Sequence, residues 1–187
     1  MLIRSFFITL FIFLVTLPVF AESNTEEDQA ALKALLASDI VSKFHNSAYG
    51  YAIFPTIGKG GFGIGGAHGT GRVYVGGKKT GDVSMTQLTI GLQLGGQAYR
   101  QVIYFEDKRA FDDFTSGNFE FGAQAEAIAI TSSAGASAGS EGASASANAT
   151  QAEAKYYKGM IVFTMGKGGL MYQATIGGQK YSYTASK

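Results

Sequence analysis

Thr56-Ile57-Gly58-Lys59-Gly60-Gly61-Phe62 recurs as Thr164-Met165-Gly166-Lys167-Gly168-Gly169-Leu170, so the chain builds one glycine-rich unit twice. Each copy follows an apolar run and leads into another, and Ile53 and Ile161 match in the same ungapped register. This is the pattern of a strand–turn–strand unit. Glycines on both sides of one lysine permit positive φ and leave successive backbone N–H groups open, a geometry that cradles anions. The plain alternative is a pair of hairpin turns with solvated lysines, and turn chemistry alone favours it. Two nucleotide motifs fail on context. Gly61, Gly63 and Gly66 fit the spacing of a dinucleotide fingerprint, but the chain then runs into the Arg72–Val75 strand instead of a helix. Each Gly-Lys is followed by Gly where a phosphate loop needs Ser or Thr. Gly61, Gly63 and Gly65 instead leave one strand face bare for close approach by a backbone or a ring.

From Tyr49 onward, short aromatic and β-branched runs such as Tyr51–Phe54, Arg72–Val75 and Gln101–Phe105 alternate with glycine, which reads as strands joined tightly. Before them, Leu32, Leu35, Leu36, Ile40 and Phe44 recur at helical steps, with Thr25 as N-cap and acids in the first turn. This predicts one amphipathic helix over 25–44 whose acidic polar face suits packing on a sheet better than lying on an anionic membrane. A short helix is expected over 106–116, with Ala110, Phe111 and Phe114 on one face and Gly117 as stop, and strand alternation resumes over 119–130. The tract 132–154 is Ala/Ser/Gly-rich and reads as a long hairpin or loop with a mobile, protease-sensitive tip near 135–144. The expected fold is α+β: a mainly antiparallel sheet or partly closed barrel, with an N-terminal amphipathic helix and one short internal helix.

The first residues bear on the compartment. Arg4 precedes an uncharged run dominated by Phe, Leu, Ile and Val, and Pro18 and Val19-Phe20-Ala21 follow, which matches a signal peptide cleaved after Ala21. The rival, a retained anchor, is short of the ~20 apolar residues a spanning helix needs. The expectation is export, to the periplasm or, as the alternative, into the medium. Residues 22–187 then form a single domain. Without cysteine the chain has no disulfide, thiolate metal site or cysteine-linked lipid. Arg4 is one of 15 Lys and Arg against 14 Asp and Glu, so the exported part is formally neutral and has no bulk attraction for nucleic acid. Basic residues cluster over 51–104, where Lys59, Arg72, Lys78, Lys79 and Arg100 face only Asp82.

The stretch from Ala48 through Ile57–Gly63 to Gly71 resembles the opening motif of the SYLF lipid-binding domain family. Gly91–Gln97 with Tyr104-Phe105, the Phe111–Gly117 helix end, and Tyr156-Tyr157 through Gly169-Leu170 to Ile176 and Gly178 follow in that family's order. The resemblance covers nearly all of Thr25–Tyr183. It implies lipid and membrane binding, which in some eukaryotic members comes with actin. An exported chain meets neither actin nor phosphoinositides, so binding of anionic lipid is what carries over. The long small-residue tract and the acidic first helix depart from the family pattern, which leaves the helix without an implied role as membrane anchor.

Catalysis needs a constellation that two distant histidines, His45 and His68, do not supply, and no Gly-x-Ser-x-Gly elbow or paired metal-ligand spacing accompanies them. His68 reads as a turn residue, and no enzyme activity and no cofactor are expected. The expectation is a non-catalytic binder of anionic phospholipid head groups at a membrane surface. Lys59 and Lys167 sit on neighbouring glycine turns with Gly60, Gly61, Gly168 and Gly169, Arg72, Lys78 and Lys79 widen the basic surface, and Phe62 and Leu170 meet the acyl region. No protein partner is implied. The alternative is a small outer-membrane β-barrel or structural envelope protein, which the glycines, aromatics and alternating strands would also fit.

Overall fold

The computed structural model describes residues 20–91, 97–122, 125, 127–130, 154–167 and 176–187, with side chains excepted at 20–24, 62–64, 89–91 and 129. The tract 132–153, its tip and nearly all of the signal segment lie outside the described residues.

The N-terminal helix is two helices, α1 (Phe20–Leu35) and α2 (Asp39–Ser47). Ser38 takes extended angles (φ −92°, ψ 125°) and its carbonyl accepts from the N–H of Ser42 at 3.0 Å, so α2 starts afresh. Serine favours such a helix entry over a helix interior, and Asp39 suits the positive first turn behind it. The helical periodicity ran across the break, since Ile40, Val41 and Phe44 still face the sheet. Thr25 lies inside α1 and is not its cap, which corrects the expected start. The short helix is present as α3 (Lys108–Phe114), capped by Asp107, whose carboxylate accepts from the N–H of Ala110 at 2.8 Å.

The strands are β1 (Gly50–Val75), β2 (Lys78–Gly91), β3 (Gln97–Phe105), β4 (Asn118–Glu120), β5 (Ile128–Ala129), β6 (Met160–Gly166) and β7 (Lys180–Ala185). They form one curled sheet in the order β4-β7-β2-β1-β3-β6-β5. Every pairing is antiparallel except that of β5 with β6. β1 doubles back on itself: laid straight it would reach roughly 90 Å. Its first arm pairs β3 (Gly50↔Phe105 to Lys59↔Gln97) and its second pairs β2 (Gly63↔Gly91 to Val75↔Lys78). The rings of Tyr51 and Tyr74, one from each arm, stack 5.2 Å apart. A Cβ at Gly71 would lie 2.3 Å from the Ile53 carbonyl oxygen and 2.8 Å from the Phe54 ring, so only glycine fits. Close backbone approach falls at Gly71 and likewise at Gly69, in the second arm, where a Cβ would lie 2.7 Å from the Ile57 side chain. The β1–β2 hairpin turns through Gly76 (φ 56°) and Gly77 (φ 76°), the mirror-image turn that matches strand twist.

Both faces of the sheet are covered, which explains why β3 and β6 read as continuous apolar runs. On the outer face, Ile53, Val102, Tyr104, Ile161 and Phe163 meet Leu35 and Val41 of the two N-terminal helices. On the inner face, Phe54, Ile57, Ile103, Phe105 and Val162 meet Phe114 of α3 and Tyr181 of β7. The expected strand over 119–130 is instead two short pieces at opposite margins of the sheet. Between them the N–H of Ala125 donates to the Gly122 carbonyl at 2.9 Å.

Candidate functional site

The described parts of the two copies, Thr56–Gly61 and Thr164–Lys167, come together at one end of the sheet. Lys59 ends the first arm of β1 opposite Gln97, and Lys167 directly follows β6. Strand β3 lies between them: Gly58 is level with Ala98, whose carbonyl accepts from the N–H of Lys167 at 2.8 Å. The Lys167 ammonium donates to the Thr56 hydroxyl, so the lysine of one copy touches the threonine of the other. Lys167 is exposed and Lys59 half-buried, and Gly60 and Gly61 (φ 151°) are exposed where β1 reverses. Gly168, Gly169, Leu170 and the Phe62 side chain lie outside the described residues.

The other cations expected here are elsewhere. Arg72 is 6% exposed, and its guanidinium donates twice to the carboxylate of Asp28 on α1, from Nε at 2.7 Å and from a terminal nitrogen. The Tyr74 hydroxyl donates to the same carboxylate at 2.7 Å. Burial works against the Arg72 charge, but the hydrogen bond and the negative charge of Asp28 more than offset it and raise its pKa. Burial first, then Asp28, raises the pKa of the Tyr74 hydroxyl, so it stays a donor. Arg72 therefore fastens α1 to the sheet and adds nothing to a basic surface. Lys78 and Lys79 follow the Gly76-Gly77 turn at the start of β2, level with the far end of the second arm of β1 and on the order of 40 Å from its reversal along an untwisted strand. Lys79 pairs with Asp82 at 2.7 Å in the open.

Beside the Lys59 end, a cavity of about 630 Å³ opens between β1, β2 and β7. His68 stands at its lip, on a strand opposite Thr86 and not in the expected turn. Leu88 is 86% exposed at the same mouth. Gln87 forms part of the wall and belongs to a buried network. Its carbonyl accepts from Gln179 at 3.3 Å, and its amide donates to the Gly177 carbonyl at 3.0 Å. Gln179 also donates to the Tyr99 hydroxyl at 3.1 Å and accepts from Gln101, whose amide donates to the Tyr181 hydroxyl at 2.7 Å. Burial pushes the Tyr99 hydroxyl up to about 12 and that of Tyr181 well above the usual range, so both stay neutral. These glutamines were not singled out from the sequence, although Gln101 opening the run Val102–Phe105 was a visible anomaly.

A family model described as the Las17-binding protein actin regulator, Ysc84, matches residues 86–187. The chain belongs to the Ysc84, or SYLF, family. That is the family of the resemblance above, one of lipid-binding and actin-regulator-like proteins. The chain is also 33% identical over 161 residues to "Beta cell expansion factor A" of Aeromonas veronii, an alignment that covers 84% of this chain and 54% of that protein. It therefore spans about half the length of the curated relative it matches. The SYLF match begins at residue 86, so it takes in the second glycine copy and leaves out the first.

Proposed function

We propose that this SYLF protein is exported, to the periplasm, and binds anionic phospholipid head groups at a membrane surface without catalysing a reaction. One observation carries the reading. Thr-x-Gly-Lys-Gly-Gly occurs twice, far apart in the chain, and the Lys167 of one copy stands against the Thr56 of the other at one end of the sheet. Solvated turns need glycine but have no use for the same lysine twice, whereas an anionic head group gains from two ammonium groups beside open backbone donors. Covering of the outer face of β3 and β6 by α1 and α2 favours a peripheral binder over a spanning barrel, whose outer face must meet lipid. Membership of a lipid-binding family points the same way.

The test is cosedimentation with vesicles of phosphatidylglycerol and phosphatidylcholine. At roughly 1 kcal/mol per lysine near an anionic surface, the double variant Lys59→Ala, Lys167→Ala is expected to bind on the order of thirtyfold more weakly at low salt. The charge-matched control, Lys155→Ala with Lys158→Ala, changes exposed residues near the turn that precedes β6, at its opposite end, and is expected to bind like the parent. Equal binding by the lysine pair variant, with an unchanged circular dichroism spectrum, would place the contact elsewhere.

A further inference from the structure

We infer that the cavity beside Lys59 takes up one acyl chain of an anionic single-chain amphiphile, so that the protein holds a lipid molecule as well as a membrane surface. This rests on the lipid-binding reading and adds to it a chain drawn out of the bilayer. The cavity volume of about 630 Å³ lies within the range of sites that enclose one small molecule. Its polar side chains, His68, Thr86, Glu120 and Lys180, are exposed residues at the rim, and the rest of the wall offers little to a polar ligand. Gly58, Gly66, Ala67 and Leu88 present only backbone and apolar surface, and the Gln87 amide is engaged by Gln179 and Gly177. An apolar tail along these walls would also cover Leu88, which otherwise stands in water.

The charge lies at the mouth. Lys180 and Glu120 both line it, and their ion pair is a long, exposed one of 3.6 Å, of a kind worth little, so the Lys180 ammonium can turn to an incoming anion. Lys59 follows the lining residue Gly58 directly, and Lys167 stands two strand spacings away, about 10 Å across β3. An apolar pocket with ammonium groups at its rim matches a tail that ends in a carboxylate or phosphate, and a peptide or neutral solute would leave one of the two features unused.

Binding of cis-parinaric acid, followed by its fluorescence and by native mass spectrometry for stoichiometry, reads the proposal. His68→Trp blocks the cavity from β1, where the residue stands exposed at the lip. Thr86→Trp blocks it from β2, where the residue is exposed. The parent is expected to bind one molecule per chain and each variant at least tenfold more weakly, with circular dichroism and cosedimentation with anionic vesicles both unchanged. Displacement of the probe by lysophosphatidylglycerol identifies a phospholipid source, and displacement by palmitate alone a free fatty acid; either supports a single-chain site. Uptake that both blocking variants leave unchanged, or no uptake by the parent, overturns it. The surface reading fails separately, in the vesicle assay of the lysine pair.

Discussion

Asp28→Leu is expected to lower folding free energy by about 3–5 kcal/mol, because it leaves the Arg72 guanidinium buried with its carboxylate partner gone. Arg72 and Asp28 have side chains only 7% and 5% exposed, so water cannot take over the lost bonds without opening the contact between α1 and β1. The Tyr74 hydroxyl loses its acceptor in the same step. Replacing both charges, Asp28→Leu with Arg72→Met, is expected to recover most of the loss, since a packed apolar pair no longer carries an unpaired charge. Urea unfolding of the three proteins measures this directly. A single variant within a few tenths of a kcal/mol of the parent would mean that α1 is held by apolar packing alone.

Tyr181→Ala is expected to cost about 3–5 kcal/mol, the range for deleting a buried aromatic side chain. The Tyr181 ring is 1% exposed and packs against Phe54, Phe114, Phe119 and Phe121 at centroid distances of 5.1–6.3 Å. Tyr181→Phe isolates the hydroxyl. It keeps the ring but strips one acceptor from Gln101 and one donor from Gln179, for an expected loss of about 1–3 kcal/mol. Denaturant midpoints should therefore fall in the order parent, phenylalanine variant, alanine variant. A phenylalanine variant as stable as the parent would show that the glutamine network closes without the hydroxyl.

Features carried by local pattern were legible in the sequence. The strand character of Gln101–Phe105 and the short α3 helix follow from periodicity. Features that depend on distant partners were not. Asp28 looked like an ordinary first-turn acid, because its partner stands 44 residues away. Arg72 and the pair Lys78 and Lys79 read as one basic patch by proximity in sequence, yet the strand carries the lysines to the far end and turns Arg72 toward α1. The break at Ser38 was hidden because both helices present apolar residues to the same sheet face. The cavity was hidden because glycine and alanine from the two arms of β1 and the turn before β7 make part of its walls, and small residues mark a space only once their neighbours are known.

The doubling back of β1 also bears on how the sheet assembles. Its arms and β2 are joined by short reversals, so their contacts close small loops, whereas β6 and β7 must find β3 and β2 across long stretches of chain. Closing longer loops costs more entropy, and non-local strand pairing is slow. The ribbon of β1 and β2 is thus expected to form first and the outer strands to dock on it afterwards. Pulse-labelled hydrogen exchange during refolding should then protect amides of 66–88 before those of 160–166 and 180–185. Until those strands arrive, the inner faces of Phe54 and Ile57 stand open, and a chain halted at that stage would be the species most prone to aggregate.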